Sequence, residues 1–231
     1  MILLLRGHIR NSFDDESLYN LIKDIHKLNT DIEIYIHTWS IVQNSISWLH
    51  LDTNSTEVTE KYICDYFRDL SPFIKKIIID DDSNIQYVGN TSGNINCGCA
   101  PIIGWKNYWF GQYRAINYID EQIKNKETVI VNLRFDILKN RCECNNIEQN
   151  KILEFIGQYC YCEFTKNVFI VKEWNTGLGK FLGIDNVYIG NIKTQRELIN
   201  HFHNNLDNIL ATNDPTIHQE LLVYWENDKI F

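Results

Sequence analysis

Apolar residues recur along this chain with two periods, and the alternation between them predicts an order of elements. Residues 1–5 form a short apolar run that reads as a first strand; Leu18, Leu21, Ile22, Ile25 and Leu28 then recur at helical spacing, with Ser12 or Asp14 available to cap them. In residues 31–38, Ile32, Ile34 and Ile36 alternate with Glu33, Tyr35 and His37, as in a second strand. Residues 62–70 predict a short helix stopped by Pro72, residues 74–80 a third strand, and residues 109–124 a helix carrying Trp109, Tyr113, Ile116, Ile119 and Ile123 on one side.

Residues 128–138 carry the strongest signal. Period 2 puts Val129, Val131, Leu133 and Phe135 on one face and Ile130, Asn132, Arg134 and Asp136 on the other. A strand buried on both faces looks like this until its C-terminal end. Beyond residue 140 the pattern loosens. It predicts a helix at 150–159, strands at 160–165 and 168–172, a strand-like Val187-Tyr188-Ile189, and helices at 194–210 and 218–225. Strands and helices that alternate in this way predict an α/β fold with right-handed crossovers and a mainly parallel central sheet flanked by helices. With no repeat, low-complexity tract or linker, residues 1–231 read as a single domain.

Composition narrows the classes. Hydrophobic residues make up 44% and aromatics 13%, enough for a packed core. A net charge of -8 weighs against binding duplex nucleic acid, which needs a basic face, but leaves room for a local basic pocket. The opening apolar run meets Arg6 at once, and no run approaches the roughly 20 apolar residues of a membrane span. Seven cysteines, an odd number, suit a reducing compartment, so a soluble, cytoplasmic protein is expected and the sequons at Asn54 and Asn90 carry little weight.

Candidate chemistry gathers where strands end. In open α/β sheets ligands bind at the C-terminal strand ends. There Arg134 could hold phosphate oxygens and Asp136 a divalent cation, which together suggest a phosphorylated substrate. The first strand leads into Arg6-Gly7-His8-Ile9-Arg10, which has neither the GxGxxG pattern nor a Walker lysine, so classical dinucleotide binding is not expected. Arg6 and Arg10 either clamp a diphosphate, with Gly7 allowing close backbone approach, or are simply solvated. Thr38 and Trp39 end the second strand, where the indole either stacks on a ligand or packs in the core. Asp80, Asp81 and Asp82 compete with Asp136 for a metal and read equally as a solvated turn. The long Asn- and Gly-rich stretch 83–104 reads as a functional loop.

Three Cys-x-Cys pairs, Cys97/Cys99, Cys142/Cys144 and Cys160/Cys162, lack the two-residue gap usual in zinc knuckles and read as free thiols. Asp185, between Gly183 and Gly190, either accepts a proton as a general base or caps a turn. His218 and Glu220 begin the last helix and face a site or water.

The order of Leu4-Leu5-Arg6-Gly7-His8-Ile9-Arg10, Ile34-Tyr35-Ile36-His37-Thr38-Trp39, Gln112-Tyr113-Arg114, the Arg-Phe-Asp of residues 134–136, Gly183-Ile184-Asp185-Asn186 and Ile217-His218-Gln219-Glu220-Leu221-Leu222 resembles small GT-A-type glycosyltransferases of bacterial capsule and lipopolysaccharide loci, also met in giant viruses. The likeness runs over nearly the whole chain. It implies a GT-A-like (Rossmann-like) domain that moves a hexosyl or deoxyhexosyl group from a nucleotide-sugar donor to a hydroxyl of a glycan or glycoconjugate acceptor, or a catalytically inactive sugar- or partner-binding module of the same fold. It further implies that Arg6, Gly7, His8, Arg10, Thr38, Trp39, Gln112, Arg114 and Arg134 border the nucleotide sugar. Asp136 would stand at the end of the metal-binding Asp-x-Asp, holding manganese or magnesium, and Asp185, His218 and Glu220 would serve as catalytic groups. Arg134 stands where a full Asp-x-Asp has its first aspartate, so the arginine, rather than a metal, is a candidate to neutralise the diphosphate.

Overall fold

A computed structural model describes residues 1–47, 51–95, 100–140, 146–170, 186–214 and 217–231. The first half runs β1 (Ile2–Arg6), α1 (Ser17–Leu28), β2 (Glu33–Trp39), β3 (Ile41–Gln43), β4 (Asn54–Glu57), α2 (Glu60–Phe67), β5 (Ile74–Asp80), β6 (Asn94–Ile95) and β7 (Ala100–Pro101). The second half runs α3 (Ile102–Gln122), β8 (Val129–Arg134), α4 (Gln149–Tyr159), β9 (Val168–Phe169), β10 (Val187–Asn191), α5 (Ile192–Thr212) and α6 (Gln219–Ile230). The fold is α/β, with a central sheet ordered β5-β2-β1-β8-β10-β9. Its first four strands pair parallel, while β10 lies antiparallel to β8 and to β9.

Alternation along β1 explains how the sheet is covered on both sides. Leu3 and Leu5 point into one apolar cluster, packed with Leu21, Ile22 and Ile25 of α1, Ile63 and Phe67 of α2 and Ile152 and Ile156 of α4. Ile2 and Leu4 point into the other, packed with Trp109, Ile116 and Ile119 of α3, Phe202 of α5 and Leu222 of α6. The period-2 reading of β8 holds: Val131 and Leu133 join the first cluster and Ile130 the second.

Several expectations are corrected by local physics. Neither Ser12 nor Asp14 caps α1; Asp15 instead accepts from the Ser17 backbone N–H at 2.8 Å. Residues 160–165 form no strand, because Cys160 closes α4 and the Cys162 N–H turns back to Tyr159 O at 3.0 Å, leaving no ladder partner. The presumed loop 83–104 contains the β6–β7 hairpin, and α3 starts straight after Pro101, about two turns before its periodic face becomes readable at Trp109. The strand expected over 128–138 stops at Arg134, and Phe135–Ile137 turn as a 3-10 helix. Of the expected strand 168–172, only Val168 and Phe169 are extended, and residues 171 and 172 lie outside the described residues. No helix among the described residues is long and apolar enough to cross a membrane.

Aromatic stacking ties α3 to α5, with the rings of Trp109 and Phe202 parallel and 4.2 Å apart, both buried. Phe202→Ala is expected to cost about 3–5 kcal/mol, the usual loss for a buried aromatic, read as a lower urea midpoint with little change in slope. A cost below about 1 kcal/mol would show that this pair does not hold the helical layer.

Candidate anion-binding site

The site is built at the C-terminal ends of three neighbouring parallel strands. In the sheet register Arg6 of β1 lies opposite His37 of β2 and Arg134 of β8, so chain geometry alone brings the two arginines side by side. Past β1 the backbone must reverse sharply. Gly7 sits at φ 95°, where a residue without Cβ is favoured, and its N–H bonds His37 O at 3.1 Å. Arg10 follows at φ 53°, a strained setting for a residue with Cβ, and its N–H is tied to Val42 O at 2.9 Å. That conformation swings its guanidinium back to Asp136.

Asp136 is buried, with its side chain 2% exposed. Its carboxylate takes a bidentate fork from Arg134, Nε to Oδ1 at 2.9 Å and Nη2 to Oδ2 at 2.8 Å, while Oδ2 also accepts from Arg10 and from Asn140 at 3.3 Å. Burial pushes this carboxyl up, but Arg134 and Arg10 outweigh it and hold it down at about 2. Arg10 is itself held below its ordinary value by burial, opposed by Asp136 and reinforced by repulsion from Arg134. Arg134 reaches on to Asn186 Oδ1 at 2.9 Å.

These groups surround a cavity of about 120 Å³ whose lining holds three arginines, Arg6, Arg10 and Arg134, against one aspartate, Asp136. Gly7, His8 and Trp39 line it as well, with Trp105, Asn107 and Tyr108 from α3 and Gln219 from α6. Its unsatisfied groups are donors: Arg10 Nε and Trp105 Nε1 are buried without a partner among the described residues. In a chain of net charge -8 this is a local excess of positive charge and N–H groups, the chemistry of an anion site.

Beneath the cavity floor lies a polar network in an otherwise apolar layer. Arg6 Nε donates to Asn132 Oδ1, and its guanidinium sits 4.5 Å over the Tyr108 ring. Asn132 Nδ2 lies 3.1 Å from Gln112 Oε1, 2.9 Å from the Tyr188 hydroxyl and 3.2 Å from Gln195 Oε1. Tyr188 closes the ring by donating to Gln112 Oε1 at 2.6 Å. Fully connected networks of this kind fix side-chain directions inside a core.

No family model matches this chain. No curated protein matches it in sequence. One solved structure to which the chain is similar is a crystal structure of an active-site mutant of LgtC, at 10% identity and a TM-score of 0.45, covering 98% of this chain and 69% of that one. At that distance the likeness decides nothing about chemistry.

Of the residues singled out in the sequence, Arg6, Gly7, His8, Arg10, Trp39, Arg134 and Asp136 meet at this one cavity. Trp39 does so from within the core, only 3% exposed. Thr38 is fully buried and Gln112 belongs to the network below the floor, so neither lines the cavity. Arg114 lies apart, on α3, paired with Asp80 through Nε at 3.1 Å. His218 and Glu220 pair with each other on either side of the lining residue Gln219. Asp185 lies outside the described residues, as do Cys97, Cys99, Cys142 and Cys144; Cys160 and Cys162 are free thiols.

The acidic triplet is dispersed. Asp80 pairs with Arg114 and His37, Asp81 accepts from Ser83 and Asn84, and Asp82 accepts from Asn44 at 2.6 Å and lies 3.5 Å from His8. Among the described residues no three side chains of metal-binding type gather. Asp136, the one carboxylate among the described residues lining the cavity, is taken by two guanidiniums, an arrangement that suits an anion.

Because the folded-state value of Asp136 lies near 2 and its ordinary value is 3.8, its contribution to stability is complete above about pH 4. It is lost as pH falls toward 2, when the unfolded chain takes up the proton first. The wild type should therefore lose on the order of 2 kcal/mol across that window on account of this group. In Asp136→Asn the acid limb of urea-unfolding free energy against pH should be shallower. An unchanged limb would separate Asp136 from acid stability.

Proposed function

We propose that this chain is a nucleotide-sugar-dependent glycosyltransferase of GT-A type, in which guanidinium groups hold the donor's diphosphate. The observation that carries the reading is the cavity at the ends of β1, β2 and β8, lined by three arginines, where Arg10 Nε and Trp105 Nε1 are buried donors without a partner among the described residues. A diphosphate offers negatively charged oxygens to these donors, and pairs of its non-bridging oxygens suit the planar guanidinium fork.

In transfer, the bond between the sugar's C1 and the diphosphate oxygen breaks, and negative charge gathers on the leaving diphosphate. Preorganised cations at that point lower the barrier. Arg10 and Arg134 fill that role in this reading, and Arg6, clamped to Asn132, fixes the direction of approach. The acceptor hydroxyl of a glycan or glycoconjugate attacks C1 and loses its proton to a base, for which Asp185 is the proposed group, with His218 and Glu220 beside the cavity through Gln219. In this reading the arginines take the part of manganese or magnesium, because the resemblance sets Arg134 at the first position of the Asp-x-Asp.

A second reading, a sugar-nucleotide-binding module without turnover, draws on one observation: both oxygens of Asp136 are engaged, so the described site offers no free carboxylate. Free UDP released from UDP-hexose, with or without acceptor, separates the two, because a binder releases none.

UDP is expected to raise the melting temperature of the wild-type protein, as any ligand bound only by the folded state does. Arg10→Gln should weaken that binding roughly 10- to 100-fold, the value of a charge-assisted bond, with circular dichroism unchanged. Excess EDTA should leave the UDP shift unaltered. A shift that vanishes with chelator and survives Arg10→Gln would replace the arginine account with a metal one.

A further inference from the structure

β5 is an edge strand of the central sheet and, together with the residue that follows, it carries a charge palindrome. Lys75-Lys76-Ile77-Ile78-Ile79-Asp80-Asp81 has two cations at one end, two anions at the other and three isoleucines between. On one side β5 pairs with β2; on the other, no strand among the described residues pairs with it. Ile77, Ile78 and Ile79 instead border an open groove of about 670 Å³, walled by Glu60 of α2 and by Tyr113, Arg114 and Tyr118 of α3. An edge of this length, rich in isoleucine and free of proline, is a template for strand addition.

We propose that the occupant of this edge is β5 of a second copy of the chain, paired antiparallel about a two-fold axis through Ile78, so that one sheet runs through both subunits. The register follows from the charges. Centred on Ile78, antiparallel pairing sets Lys76 opposite Asp80 and Lys75 opposite Asp81, twice each by symmetry, with Ile77 opposite Ile79 and Ile78 opposite itself. Face matches face as well. Lys76 and Asp80 lie on the α3 side of the strand, where Lys76 sits 5.7 Å over the Tyr118 ring and Asp80 meets Arg114, while Ile77 and Ile79 face the cluster under α1 and α2. Parallel pairing in register would set lysine against lysine and aspartate against aspartate, which favours the antiparallel arrangement over the parallel one. The groove beside β5 gives the second strand its room. The inference is independent of the chemistry at the arginine cavity.

Sedimentation equilibrium and light scattering over micromolar concentrations test it, with the dimer expected at twice the 27.3 kDa of one chain. Lys75 and Asp81 are both exposed and lie outside the core; Asp81 also holds the turn to Ser83 and Asn84, so the urea midpoint of each variant is measured alongside. Lys75→Glu should raise the dimer dissociation constant roughly tenfold or more, since it sets like charges opposite each other at two symmetric places. Adding Asp81→Lys to Lys75→Glu should restore the dimer. Hydrogen exchange should protect the outward amides of β5 in proportion to dimer formed. A wild-type protein that stays monomeric overturns the proposal, the lysines then serving only to guard the edge. A dimer indifferent to Lys75→Glu overturns it too, placing the interface elsewhere.

Discussion

A carboxylate removed from water must be met by positive charge, and at Asp136 it is met by two guanidiniums, with a third on the neighbouring strand. Arg134 grips it with a fork, Arg10 reaches it from the loop after β1, and Arg6 stands on the neighbouring strand. This clustering of guanidiniums about one buried carboxylate is the organising constraint of the site. It holds Asp136 ionised, leaves buried N–H groups without acceptors, and favours an oxygen-rich anion in the cavity. Remove the carboxylate and two guanidiniums repel each other in a half-buried wall; remove an arginine and a buried charge loses its partner.

The fold is arranged so that this cluster cannot disperse. Parallel pairing puts Arg6 and Arg134 in register, and the buried Asn132–Gln112–Tyr188–Gln195 network under Arg6 fixes its direction from below. Helix α3 approaches the strand ends because Gly111 has no Cβ; one built there would lie 2.5 Å from the His37 ring. Close approach by α3 in turn brings Trp105, Asn107 and Tyr108 to the cavity wall. The site is therefore a product of sheet register and helix packing together, with the left-handed turn at Gly7 and Arg10 supplying the third cation.

Much of this was legible in the order of residues. The double burial of β8 and the clustering of arginine and aspartate at its end follow from period 2, and Arg6, Arg10, Arg134 and Asp136 do meet. What escaped has physical reasons. Helix α3 begins among residues whose composition mimics a loop, so Tyr108, Asn107 and Trp105 carried no periodic signal of a ligand wall. Gln112 and Arg114, two positions apart on that helix, point in different directions: one into the core network, the other to Asp80. The antiparallel entry of β10 between β8 and β9 reflects tertiary pairing that no local pattern encodes. The pairing of Arg134 with Asp136 needs the strand to end in a 3-10 turn, where period 2 no longer applies.

The most direct measurement is a crystal structure of the protein with UDP. The account predicts phosphate oxygens within about 3.5 Å of the guanidiniums of Arg10 and Arg134, with the Arg134–Asp136 fork retained and no metal required between them. A nucleotide bound away from these arginines, or phosphates reached only through a cation on Asp136, would contradict it.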